Sequence, residues 1–144
     1  MILVSACLLG ENCKYNGGNN LNENIISPIK NEEIIQICPE VEGGLLIPRS
    51  PAEIVGGDGR DVLEGNAKVM NKEGKDVTKE FIQGARIILQ IAKSSGATKA
   101  ILKSNSPSCG SGQIYDGTFT GKKISGDGVT AALLKQNGIE VVNE

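Results

Sequence analysis

The chain contains no histidine and no tryptophan. Without histidine, Ser-His-Asp and Cys-His catalysis, His-ligated zinc and Rieske-type centres are excluded within one chain. Aromatic residues make up 3%, two Tyr and two Phe, too few for the stacking platform of a protein that binds single-stranded nucleic acid. Neither charge dominates: 15 basic against 17 acidic side chains leave a net charge of −2. A wide electrostatic surface for nucleic acid or an anionic membrane is therefore not expected. No run approaches the roughly 20 apolar residues that cross a bilayer. Met1 leads straight into Ile2-Leu3-Val4-Ser5, without the basic start of a signal peptide. The expectation is a cytoplasmic protein, not bound to a membrane, whose thiols stay reduced. The chemistry left open must come from cysteine, carboxylate, serine, lysine, backbone amides or a bound cofactor.

What is present suits a globular chain. Its 144 residues, 39% hydrophobic and 22% charged, fit one domain over 1–144. A domain of that size buries roughly two-thirds of its surface and needs no disulfide staples. Residues 2–7 and 34–38 read as buried strands, each ending in a cysteine. A short helix is expected over 25–33, with Ser27 as N-cap and Pro28 at its first position. Residues 42–65 are rich in Gly and Pro and read as an extended loop with short strands, followed by a weak alternating pattern over 66–75. The clearest helix spans 77–95, where Val77, Phe81, Ala85, Ile88 and Ala92 recur at helical steps. Asp76 or Thr78 is expected to cap its start and Gly96 its end. A strand at 100–103, a polar loop at 104–110, a hairpin over 111–126 around Asp116-Gly117, a helix over 129–136 and a strand at 139–142 complete the chain. Apolar strands alternating with helices predict a single α/β domain with a mostly parallel, Rossmann-like sheet flanked by helices, plus the Gly/Pro-rich loop region.

In such sheets the site lies beyond the carboxyl ends of the strands. The first strand delivers Cys7, the second Cys38, and the third opens into the loop bearing Cys109. The gaps of five, 24 and 70 residues between Cys7, Cys13, Cys38 and Cys109 match neither ferredoxin clusters nor zinc ribbons. A Cys7–Cys13 redox pair lacks the Cys-X-X-Cys spacing. Two readings stay open: inert core thiols, or a soft metal site with an incomplete ligand shell. Gly126-Asp127-Gly128 precedes a helix, but an aspartate there repels phosphate, and we read it as a helix cap.

Several motifs agree with one another: Ser5-Ala6-Cys7-Leu8-Leu9-Gly10; Cys13-Lys14-Tyr15-Asn16-Gly17; Cys38-Pro39-Glu40 with Gly43-Gly44-Leu45; Pro48-Arg49-Ser50-Pro51-Ala52-Glu53-Ile54; Leu102-Lys103-Ser104-Asn105-Ser106-Pro107-Ser108-Cys109-Gly110; and Gly126-Asp127-Gly128-Val129-Thr130-Ala131. In this order they resemble the thiouracil desulfidase family, formerly catalogued as a domain of unknown function, over nearly the whole chain. The resemblance implies a [4Fe–4S] cluster held by Cys7, Cys38 and Cys109, with one iron free for sulfur and Cys13 outside the ligand set. It implies a non-redox reaction in which thiouracil and water give uracil and sulfide, with no flavin or nicotinamide. One departure is visible. Where the family pattern reads Arg-Tyr-Asp-Gly, this chain has Lys14-Tyr15-Asn16-Gly17, which removes a negative charge beside the site.

Within that frame Glu40, two residues after Cys38, is the expected base, and Ser104 the first choice among the hydroxyls flanking Cys109. Lys103, Ser106, Ser108, Tyr15 and Asn16 are the expected substrate contacts. Arg49 and Glu53 are read as an ion pair that shapes their loop. The expected substrate is a small thiolated pyrimidine, with thiolated tRNA the less favoured partner. The rival functions are a sulfur carrier or transferase and a non-catalytic metal-binding redox sensor.

Overall fold

The computed structural model describes residues 1–144. In chain order it runs β1 (Ile2–Ser5), a 3-10 turn (Ala6–Leu9), α1 (Glu23–Ile29), β2 (Ile34–Ile37), α2 (Pro39–Glu42), β3 (Ala52–Val55) and α3 (Gly59–Leu63). There follow β4 (Lys68–Asn71), α4 (Thr78–Ser95), β5 (Lys99–Leu102), β6 (Gln113–Tyr115), β7 (Lys123–Ser125), α5 (Val129–Gln136) and β8 (Glu140–Asn143). The strands β2-β1-β5-β8 form one parallel sheet in that order. β3 and β4 pair antiparallel, as do β6 and β7. Helices flanking a parallel sheet meet the expectation, because strands buried on both faces must be apolar throughout. Leu3 and Val4 of β1 and Ala100 and Leu102 of β5 are fully buried.

The core divides into three clusters. One joins Leu3, Ala100 and Leu102 to Ile88 and Ala92 of α4 and Leu134 of α5. A second packs Phe81 and Ala85 of α4 against Ile54 and Val69 of the β3–β4 pair and Val129 of α5. A third gathers Val4, Leu8, Ile29 and Ile101 around Cys7 and Cys13. Each fully buried Leu, Ile or Phe contributes about 1.5–3 kcal/mol through the apolar area it removes from water. No helix is long and apolar enough to cross a membrane.

Several local expectations need correction. The first helix begins earlier, with Asn22 as N-cap accepting from the Asn24 N–H, and Pro28 lies inside it rather than at its start. The segment 42–65 is not only loop and strand. It ends α2 and contains α3, whose Asp58 and Asp61 form a reciprocal capping box. Asp127 does not cap α5. Its carboxylate accepts from the Gly112 N–H at 2.8 Å and pairs with Lys135 at 2.9 Å. The first amides of α5 are satisfied otherwise: Val129 N donates to Pro107 O, and Thr130 N and Ala131 N donate to Ser108 O. Gly128 permits this approach, since a Cβ there would lie 2.5 Å from the Ser108 carbonyl carbon. The glycine-flanked motif thus clamps the loop that carries Cys109.

Candidate active site

The parallel sheet reverses its direction of growth between β1 and β5, the kind of position where doubly wound sheets open a crevice. A cleft of about 540 Å³ lies there, and all four cysteines line it. Its volume is that of a small-molecule site.

Cys7 sits in the 3-10 turn directly after β1. The turn closes on Gly10, whose φ of +95° is the left-handed conformation glycine adopts without strain. The chain then folds back: Asn20 N donates to Cys7 O at 2.9 Å and Asn22 N to Leu8 O at 3.0 Å. This return brings Cys13 into the cleft beside Cys7 and Cys38. Cys38 is the N-cap residue of α2. That helix crosses α4 backbone to backbone at two glycines. A Cβ on Gly43 would lie 2.0 Å from Glu80 O, and one on Gly84 2.0 Å from Pro39 O. Cys109 is set by its loop: Ser106 Oγ accepts from the Ser108 and Cys109 N–H groups at 3.1 Å each, and Asn143 Nδ2 donates to Cys109 O.

The sulfurs are electrostatically unequal. The neighbouring Cys13 thiol outweighs burial at Cys7 and pulls its thiol down to about 6. The same neighbour lowers Cys38. Cys13 is pushed the other way, above the usual thiol range, by the Cys38 and Cys7 sulfurs beside it and by burial. Burial pushes Cys109 up, the Glu40 charge adding to it, and the Ser5 hydroxyl, 3.8 Å from its sulfur, only partly offsets them. Four sulfurs lining one cleft, with no histidine in the chain, make a soft donor set suited to an iron–sulfur cluster. No three His, Cys, Asp or Glu side chains converge on one ion position; the ligands of a cluster bind separate irons and need no common centre.

Glu40 lines the same cleft from the first turn of α2. Burial raises its pKa, and Arg49 beside it offsets this only in part. The Arg49 guanidinium, 9% exposed, lies 3.6 Å from Glu40. It is fixed by bonds to Cys13 O at 2.9 Å and Leu46 O at 3.3 Å, and its Nε, the atom that faces Glu40, makes no hydrogen bond. The expected Arg49–Glu53 pair is therefore absent: Arg49 reaches across to Glu40, and Glu53 instead accepts from the Gly117 and Phe119 amides.

Of the other expected residues, Lys103, Ser104, Ser106 and Tyr15 line the cleft. Lys103 Nζ donates to Ser104 Oγ at 3.0 Å and pairs with Glu144. Burial opposes the charge on Glu144, but Lys103 and the Ser104 N–H hold its carboxyl below the usual glutamate range. Two expectations are not met. Ser108 is fully buried and its hydroxyl bonds Thr130 at 2.9 Å, away from the cleft. Asn16 lies outside the cleft lining and turns its side chain to the Gly18 N–H. Sequence reasoning missed Ser5, Asn20, Tyr115, Phe119 and Glu144. Ser5 alone carried a signal, as the last residue of the strand that delivers Cys7.

The family model for 2-thiouracil desulfurase matches residues 2–144. The uncharacterized protein YbbK of Bacillus subtilis (strain 168) is 54% identical over 144 residues, which is all of this chain and 95% of that one. Among solved structures, the [4Fe-4S]-dependent thiouracil desulfidase TudS superposes with a TM-score of 0.86 at 42% identity, over 99% of this chain and 89% of that one.

Proposed function

The chain belongs to the 2-thiouracil desulfurase family, and from that premise we propose that it removes sulfur hydrolytically from a small thiolated pyrimidine, using a [4Fe–4S] cluster held by Cys7, Cys38 and Cys109. The observation that carries this reading is the meeting of those cysteines and Glu40 in one small cleft. When bound, a cluster with three protein ligands supplies an iron with an open position, a soft Lewis acid for the substrate sulfur.

The protein's own residues do the rest. Glu40 accepts a proton from the water that replaces sulfur, and its partly desolvated setting favours the proton-holding form. Arg49 keeps that carboxylate in place. The Ser104 hydroxyl accepts from Lys103 Nζ, which leaves its own proton for an oxygen or ring nitrogen of the pyrimidine. Ser106 accepts two amides and likewise retains a proton to donate. Tyr15, 43% exposed, stands at the cleft mouth as a further contact. The reaction balances without electrons: thiouracil and water give uracil and hydrogen sulfide, both protons of the water leaving with sulfur.

The test is anaerobic incubation of the reconstituted chain with 2- and 4-thiouracil, following uracil and sulfide together. Equal amounts of both are expected. A cluster-bearing chain that forms uracil without free sulfide, and hands that sulfide to an electrophilic acceptor carbon, would replace this reading with that of a sulfur carrier.

A further inference from the structure

Three of the chain's four aromatic side chains, Tyr15, Tyr115 and Phe119, line the cleft. None of the three belongs to or packs on a core cluster. The fourth, Phe81, is fully buried. Phe119 is held with φ +58°, a region that a residue with a Cβ rarely occupies. Such a conformation persists only where the surroundings over-determine it.

They do so here. Glu53, on β3 and only 9% exposed, accepts from the Gly117 N–H at 2.9 Å and the Phe119 N–H at 3.1 Å with the same oxygen. Gly117, at φ +91°, sits so close to β3 that a Cβ would lie 2.5 Å from Ile54 O. The loop 116–122 is closed by Asp116 N donating to Lys122 O. A buried carboxylate and a close backbone contact therefore fix a strained residue whose half-buried apolar ring contributes to no core cluster.

We propose that Phe119 is a specificity-determining residue whose ring packs on the flat face of the substrate heterocycle, with Glu53 as the positioning residue that holds its backbone. This rests on the reading of the substrate as a thiolated pyrimidine. An aromatic face prefers a planar, conjugated ring to a puckered saturated one of similar size and polarity.

The experiment uses the full cluster-loaded chain, with uracil and 5,6-dihydrouracil titrated by ligand-observed NMR. The parent and Phe119→Tyr bind uracil more tightly than dihydrouracil. Phe119→Leu and Phe119→Gly lose roughly tenfold or more in uracil affinity, and with it the preference for the planar ring. KM for thiouracil rises with the affinity loss while kcat holds within about twofold, because only binding is removed. Phe119→Gly melts no lower than the parent, since glycine adopts this backbone freely. Should Phe119→Gly fail to fold, the Leu and Tyr variants decide. Uracil affinity in Phe119→Leu equal to the parent's, or a parent indifferent to ring planarity, overturns the inference. A parent that turns over thiouracil while the Phe119 variants match it sinks the inference alone; a parent that turns over none sinks the reading beneath it.

Discussion

The Arg49 guanidinium lies 3.6 Å from the Glu40 carboxylate, and both line the cleft that holds the four cysteines. The pair joins the loop before β3 to the first turn of α2. A partly buried carboxylate beside a fixed guanidinium keeps one orientation, which a proton acceptor requires. Glu40→Gln is isosteric but cannot take a proton. It is expected to lower kcat by about 10²–10⁴ while iron content stays that of the parent, measured by turnover of thiouracil and iron assay on the same sample. Normal turnover would remove Glu40 from the reaction.

Ser108 separates loop architecture from substrate contact. Its hydroxyl and that of Thr130 are fully buried and bonded to each other. Ser108→Ala leaves Thr130 without that partner and is expected to cost about 1–3 kcal/mol in denaturant unfolding. KM for thiouracil stays unchanged. A raised KM at unchanged stability would return Ser108 to the substrate face.

Gly84 fixes the position of Cys38 and Glu40 from across the molecule. In an exposed helix, Gly→Ala stabilises by about 1 kcal/mol. Here the added carbon would meet Pro39 O at 2.0 Å, and backbone cannot yield as a flexible side chain does. Gly84→Ala is expected to destabilise by about 1–3 kcal/mol, and to lower iron retention by pushing α2 away. A gain in melting temperature would show that the crossing is looser than this.

Asp76 supplies a pH-dependent increment at the start of α4. Its carboxylate accepts from the Thr78 N–H at 2.9 Å, and that side chain and backbone hold its pKa below the usual aspartate value. Because the folded-state value is lowered, the stabilisation is complete above the unfolded-state pKa. It is lost as pH falls through the folded-state one. Asp76→Asn is expected to flatten the stability curve on the acid side of pH 4 or so and change little at neutral pH, as suits an exposed, salt-screened group. Urea midpoints across pH for both chains measure it.

The parts legible in the sequence are those written in local pattern. The helical recurrence from Val77 to Ala92 gave α4, Gly96 gave its left-handed end, and α5 runs over the expected residues 129–136. The apolar runs ending near Cys7 and Cys38 gave two adjacent strands, and their parallel pairing put both cysteines at one sheet end. The parts that failed depend on tertiary contact. α2 has only four residues; Pro39 at its first position and Glu40 and Glu42 in its first turn favour a helical start, but its place depends on Gly43 and Gly84, which let it lie on α4. Arg49 and Glu53 stand four apart, which suggested a pair, but their partners come from distant segments. Ser108 read as one of three hydroxyls flanking Cys109, behind Ser104, but Gly128 and Thr130 pack against it and bury it. Cys13 is the sharpest case: no spacing rule revealed that the loop returns it to Cys7 and Cys38.

As proposed, Cys7 after β1, Cys38 after β2 and Cys109 in the loop that follows β5 hold the cluster, and Cys13 lines the cleft without being a ligand. Iron and acid-labile sulfide per chain after anaerobic reconstitution test it most directly. The expected result is about four of each in the parent and in Cys13→Ala, with marked loss in Cys7→Ala, Cys38→Ala and Cys109→Ala. Full iron in Cys109→Ala together with loss in Cys13→Ala would contradict it, moving the ligand set onto Cys7, Cys13 and Cys38.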